Sequence, residues 1–183
     1  MAPSTANPPT FTRAVEELRA VTTRPEITLE EVPAPQRLAP FAHAIGGTVL
    51  RHGDEVATGR LILLHDPEGH DAWDGTMRLV TYVTAELEAE LATDPLLPGV
   101  GWSWLVDALD GHAAAYTAIG GTVTQTMSTR FGDLAGPPAA ADLEIRASWT
   151  PTTDDIQAHV HAWCALLAST AGLPPPGVTA LHA

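Results

Sequence analysis

The sequence predicts an α+β fold in which a mostly antiparallel sheet of about five strands carries helices on one face. Several segments in which apolar and polar residues alternate are separated by short turns, and consecutive strands that are joined by short turns pair antiparallel. Segments with helical periodicity stand at the start, in the middle and near the end of the chain. Together these observations give the element order α-β-β-β-α-β-β-α.

The first helix is predicted directly after the N-terminus. Asn7 can cap this helix, and Pro8 or Pro9 suits its first turn. Its apolar face is formed by Phe11, Ala14, Val15 and Leu18. Residues 24–40 contain four prolines and should be extended or turning, with a short edge strand over residues 27–32.

Three strands are expected in the next part of the chain. Residues 44–51 and 56–65 flank the tight-turn signal His52-Gly53-Asp54 and should pair as a hairpin. A polar loop over residues 66–75 then leads to a strand over residues 76–84. A short helical turn is expected from Glu86 to Leu91.

The second half should contain two helices and two strands. A helix is predicted from Trp102 to Ile119, and Gly120-Gly121 is a typical C-terminal stop. Alternation then predicts strands over residues 123–131 and 143–149. Thr152 with Asp155 resembles a capping box at the start of the last helix, which should end at Gly172.

The length of 183 residues fits one domain. We expect a disordered N-terminus over residues 1–7, one α+β domain over residues 8–173 and an irregular C-terminal tail over residues 174–183. Residues 1–10 lack the basic and apolar regions of a signal peptide, and no apolar run approaches the roughly 20 residues of a membrane span. The cytoplasm is therefore the expected location. Cys164 is the only cysteine, so no intrachain disulfide or cysteine-based zinc site is expected.

The net charge of the chain indicates which classes of partner it can bind. The chain has a net charge of −13, with 22 acidic residues against nine basic ones, all of them arginine. Phosphate backbones and anionic membranes are bound by clusters of Lys and Arg, and no such cluster is present. The sequence therefore predicts no direct nucleic-acid partner and no membrane partner, and it favours a protein partner or a second copy of the chain.

The densest group of candidate ligands lies in residues 65–71. His65, Asp66, His70 and Asp71 could bind a divalent metal or act as an acid–base pair, as in a hydrolase-type enzyme. The alternative is a solvated loop with local turns, because neighbouring residues at a strand end point to opposite faces. We assign no catalytic residue, metal or cofactor from the sequence, and we favour a binding function over an enzymatic one.

A second candidate surface lies on the predicted middle helix. Trp104, Ala108, Gly111 and Ala115 form a small apolar face opposite the main buried face. A helix that is apolar all round is covered on both sides, either by a flanking segment or by another chain. This pattern predicts a non-enzymatic protein-binding or adaptor domain that acts as a homodimer. A small-molecule pocket beside Trp149 and Trp163 is a further alternative, against burial of both in the core.

Several segments resemble an uncharacterised protein family of actinomycetes, the domain of unknown function numbered three thousand. They are Arg24-Pro25-Glu26-Ile27, residues 33–40, Thr58-Gly59-Arg60, residues 64–67, residues 102–105, residues 120–124 and residues 145–151. The resemblance covers nearly the whole chain and implies no activity and no catalytic residue. The element order is also similar to that of the type III secretion chaperone-like fold. That likeness is one of topology alone, and it implies a polypeptide partner and dimerisation through the second helix.

Overall fold

The computed structural model describes residues 6–88, 90–136 and 140–178. The predictions for the two ends of the chain, disorder over residues 1–7 and an irregular tail over residues 174–183, concern residues 1–5 and 179–183 that lie outside the described ones. The elements follow one another as α1 (Pro9–Arg19), β1 (Ile27–Val32), β2 (Phe41–Arg51), β3 (Asp54–His70), β4 (Gly75–Leu87), α2 (Leu97–Gly111), β5 (Tyr116–Ser128), β6 (Ala140–Pro151) and α3 (Ile156–Thr170). The α+β class is confirmed, with one strand more than in the predicted order.

The strands form one antiparallel sheet in the order β1-β2-β3-β4-β6-β5. The register places Gly47, Gly59, Val83, Ile145 and Val123 side by side across five of the strands. Helix α3 packs over the two glycines, and α2 packs over the valine and isoleucine of β5 and β6. All three helices therefore cover one face, as predicted, because Phe11 of α1 also stacks on His65 of that face.

Helix α3 packs against the sheet at the paired glycines Gly47 and Gly59, where the absence of side chains leaves space. Trp163 and Leu167 fill the space above Gly47 and Gly59. The Trp163 indole N–H donates to Thr81 Oγ1 at 2.8 Å, so its polar atom is satisfied inside the core. Trp149 is likewise 0% exposed and donates to His159 Nδ1 at 3.0 Å. Both indoles are thus core residues with satisfied N–H groups.

The hairpin between β3 and β4 differs from the prediction of a loop over residues 66–75. Strand β3 continues to His70, and a single turn of 3₁₀ helix over Asp71–Trp73 connects it to β4. The register is irregular between His65 and His70, so Pro67 and Gly69 sit in an irregular part of the ladder, where they are tolerated. Strand β4 runs to Leu87, which replaces the start of the helical turn expected from Glu86.

The boundary between α2 and β5 was predicted wrongly. The helix begins at Leu97 and ends at Gly111, and β5 already begins at Tyr116. Helix α2 ends without a left-handed glycine, because His112 Nδ1 donates to the Ala108 carbonyl at 2.8 Å and Ala113 takes the left-handed φ of 52°. Gly121 instead lies inside β5, where a Cβ would come 2.2 Å from the Arg146 carbonyl oxygen.

The predicted start of α3 also needs a correction. Asp155 is the N-cap, and its side chain accepts from the Ala158 N–H at 3.1 Å. Thr152 lies outside this cap, directly after the end of β6. Glu17 of α1 accepts from the Ile156 N–H at 2.9 Å, so a second carboxylate satisfies the exposed amides of the first turn.

Candidate functional site

The four residues proposed as metal ligands do not converge. His65 is buried beneath α1, stacks on Phe11 with Phe41 tilted against it, and donates from Nδ1 to the Thr76 carbonyl at 3.0 Å. Asp66 accepts from the Glu68 N–H at 3.1 Å, which is a local turn interaction.

His70 and Asp71 lie at the exposed end of the same hairpin. The His70 ring stacks on Trp73, with 5.1 Å between the ring centroids, and its Nδ1 accepts from the Ala72 N–H. Over the ranges 6–88, 90–136 and 140–178, the structure brings no three His, Cys, Asp or Glu side chains into a metal-binding group. His65, Asp66 and His70 each bind a local backbone group instead.

The residues proposed for a dimer interface on the middle helix are also separated by the structure. Trp104 is half-buried and packs against the core of its own chain, and Ala108 is buried. Gly111 is the last residue of α2, and Ala115 lies beyond the helix, where its carbonyl accepts from Thr152 N–H. These four residues do not form one exposed helical face, so α2 alone does not make the surface that the sequence suggested.

An unpaired sheet edge on β5 is the feature that the sequence analysis missed. Strand β5 has 13 residues, and none of them is charged or proline. Within the described residues it pairs only with β6, which leaves its outer N–H and C=O groups without a strand partner. Long, uncharged edge strands are templates for pairing with another chain. Its lack of charge was visible in the sequence, but its place at the edge was not.

Exposed apolar side chains gather toward the end of this strand. Met127 is 55% exposed, and Phe131 and Leu134, which follow the strand, are 79% and 76% exposed. The Gln125 amide donates to the carbonyls of Leu91 and Asp94. These hydrogen bonds hold the connection between β4 and α2 against the same end of β5. That connection carries two further exposed leucines, Leu91 and Leu96.

Two of the three charges on the neighbouring strand β6 form an ion pair. Arg146 donates to Glu144 at 2.6 Å, and its guanidinium lies 4.9 Å from the centroid of the Tyr82 ring. The Tyr82 hydroxyl donates to Glu144 at 2.9 Å. The Arg146 hydrogen bond lowers the pKa of Glu144, with Tyr82 as the next contributor, so the carboxylate stays ionised beside its cation. The Glu144 and Arg146 charges therefore offset each other beside the edge, and Asp142 is the remaining charge of β6.

Arg78 fixes the shape of β5 from two strands away. It is 9% exposed and donates to the Ala118 carbonyl at 2.7 Å, to Thr150 Oγ1 at 3.0 Å and to Ser148 Oγ at 2.8 Å. Desolvation lowers the pKa of this guanidinium. Ala118 has a left-handed φ of 50° and lies where the pairing with β6 shifts register, so Arg78 holds the bulge that precedes the regular part of β5.

Replacing Arg78 by methionine is expected to loosen β5 more than it lowers global stability. The variant leaves the Ala118 carbonyl without its donor but also removes the cost of burying a cation, so the net loss should be only about 1 kcal/mol. Hydrogen exchange should accelerate for the β5 amides and stay near the wild-type rates in β2 and β3. Uniform acceleration across all strands, or unchanged exchange in β5, would contradict this role.

In the described part of the chain, none of the helices has the length and apolar character to span a membrane.

Comparisons with known proteins identify the family. Neither the curated proteins nor the solved structures contain a significant match to the sequence. A family model described as "Protein of unknown function (DUF3000)" matches residues 7–179. This match covers nearly the whole chain, and the protein therefore belongs to the DUF3000 family.

Proposed function

We propose that the protein is a non-enzymatic protein-binding domain that acts as a homodimer through its β5 edge. The observation that carries the proposal is the length and neutrality of this strand, 13 residues without a charge, at an edge that no described strand covers. In the dimer, β5 of one protomer pairs antiparallel with β5 of its partner, and the two sheets become continuous. Addition of a strand at an exposed edge is a common mode of protein recognition.

The opposite edge of the sheet supports this choice by contrast. Strand β1 has only six residues and carries Glu30 and Glu31. Prolines at positions 25 and 33 flank it, and Arg19 of α1 binds Glu31 from outside. Short length, charge and proline are the features by which proteins protect an edge from pairing. The two edges of one sheet therefore differ in the way expected if only β5 is used for contact.

Charge and symmetry favour a second copy as the occupant of the edge. Two chains of net charge −13 repel each other, so their contact should lie where each surface is neutral. Antiparallel pairing of a strand with its own copy is two-fold symmetric, and the same donors and acceptors serve both protomers. Met127 and Phe131 can then contribute apolar area at the ends of the joined strands.

The dimer is tested by placing lysines on β5. Thr124 and Thr126 are exposed on the open face of the sheet, opposite Glu144 and Asp142 of β6. Thr124→Lys with Thr126→Lys should be tolerated in the monomer, because each lysine faces an acidic residue across the strand pair. Across the dimer axis the lysines repel, and the dimer should weaken by about tenfold or more.

Sedimentation velocity over a dilution series measures this effect. The wild type should approach twice the 19.2 kDa chain mass, and the double variant should dissociate at higher concentration. Thr28→Lys is the matched control, since Thr28 is an exposed threonine on the other edge strand, and it should leave the dimer intact. A wild type that remains monomeric, or a dimer that Thr28→Lys weakens as much as the β5 variant, would refute the proposed contact.

A further inference from the structure

A cavity of about 580 Å³ lies at the end of the helical layer that is formed by α3. Its walls are the connection from α1 to β1, His112 directly after α2, one side of α3 and the start of the C-terminal segment. Small-molecule sites in proteins commonly have volumes of about 300–1,000 Å³. The volume is therefore suited to a small organic ligand.

One arginine holds the rim of this cavity in place. Arg24 donates to both carboxylate oxygens of Glu26, at 3.0 and 2.9 Å, and to the Pro174 carbonyl at 2.8 Å. The Arg24 hydrogen bond lowers the pKa of Glu26 to about 2, so this carboxylate stays ionised. The interaction ties the C-terminal segment to the entry of β1, and the cavity is thereby formed before any ligand arrives.

The lining differs in charge from the rest of the protein. The chain has 22 acidic and nine basic residues, yet among the described residues around this cavity none is acidic. Its polar groups are Arg24, two imidazoles and the hydroxyls of Thr22, Thr23 and Ser169. All of them can donate hydrogen bonds, and none carries a negative charge that would repel an anion.

The two imidazoles come from different parts of the helical layer, because His112 directly follows α2 and His161 lies on α3. His112 and His161 lie with their rings nearly parallel, at 11°, and their centroids 6.4 Å apart. Because His112 Nδ1 donates to a carbonyl, its Nε2 is an acceptor in the neutral ring, and His161 is the imidazole that can donate to a ligand. The remaining wall is apolar and includes Ile27, Ala165, Ala168 and Leu173.

Cys164 belongs to the apolar wall. Burial raises the pKa of its thiol to about 11, so it stays a neutral thiol that packs as a small apolar group. From this arrangement we infer that the cavity binds a small monocarboxylate with an apolar body. The carboxylate accepts hydrogen bonds from His161 and the hydroxyls, and the body lies against the alanines, Leu173 and the prolines.

The inference is tested with matched pairs of ligands. Phenylacetate and 4-phenylbutanoate are titrated into the ¹⁵N-labelled protein beside their neutral primary amides. The carboxylates should shift the amides of Thr23, Ala165 and Ser169 in a saturable way and bind at least about tenfold more tightly than the amides. Equal affinity of acid and amide, shifts that map elsewhere, or no saturable binding of either acid would overturn it.

Variants separate this cavity from other binding surfaces. His161→Phe keeps an aromatic ring but removes its hydrogen bonds, and Ala168→Trp fills the cavity; both should weaken the carboxylate about tenfold or more. His70→Phe is the matched control, because His70 is an exposed, stacked imidazole on the β3–β4 hairpin. An equal loss in the His70 variant would show that the carboxylate binds outside the cavity. The dimer contact on β5 is not involved, so failure of either proposal leaves the other standing.

Discussion

Replacing Gly59 by valine is expected to destabilise the protein by about 3 kcal/mol, at the upper end of what overpacking of a core costs. A Cβ at this position would lie 2.8 Å from Leu167 Cδ2 and 3.0 Å from Trp163 Cζ2. Both side chains belong to α3 and are fully buried, so neither can move away without lifting the helix from the sheet. The hydrogen bond from Trp163 to Thr81 depends on the same close packing of α3 against the sheet.

Urea denaturation at neutral pH measures the loss, and Gly120→Val is the matched control. Gly120 also lies in a strand, but nothing comes within 4 Å of a Cβ built there, and valine suits strands better than glycine. In a Leu167→Ala background, Gly59→Val should cost less, because the closest clash has gone. A Gly59 variant as stable as its Gly120 counterpart would show that α3 is not held by this contact.

The parts of the fold that depend on local pattern were predictable. The turn between β2 and β3 was expected at His52-Gly53, and both residues have positive φ, 55° and 91°, as the tightest hairpin turns require. The buried face of α1 was predicted residue by residue, and all four of its members are buried. In these segments the alternation of apolar and polar residues agrees with the tertiary structure.

The boundary between α2 and β5 was mispredicted because a residue type that is typical of helix ends is required there by tertiary packing. Gly120-Gly121 looked like the end of a helix, but Gly121 is required by the close approach of β5 to the Arg146 carbonyl. At the end of α2 the left-handed conformation is taken by Ala113 and not by a glycine, and His112 caps the Ala108 carbonyl. From the sequence alone, a glycine pair that ends a helix cannot be distinguished from one that allows two strands to approach closely.

The two candidate surfaces were harder to foresee, because each depends on long-range topology. β5 is an edge only because β6 inserts between it and β4, and nothing in the residues of β5 specifies that order. The cavity combines Arg24, His112 and His161 from three separate parts of the chain. His161 lies on α3, and the end of α2 brings a second imidazole beside it.

The pH dependence of stability should contain a large contribution from one buried histidine, His159. Burial lowers the pKa of this side chain from 6.5 to about 4, while the unfolded chain keeps the ordinary value. Between these two values the unfolded state binds more protons, so stability decreases as the pH falls through this range. One group with this shift contributes a loss of about 2 kcal/mol between pH 7 and pH 5.

His159→Gln should remove most of this loss while it keeps the core interaction. The glutamine amide oxygen can accept the Trp149 indole N–H as His159 Nδ1 does, but it does not titrate. Urea unfolding of both proteins at pH 7 and pH 5 gives four free energies, and the difference of differences isolates His159. Burial also lowers the pKa of His43, but His43 is present in both proteins and cancels. Equal pH dependence in the two proteins would mean that His159 can take up a proton within the folded core, and hence that the layer between α3 and β6 admits water.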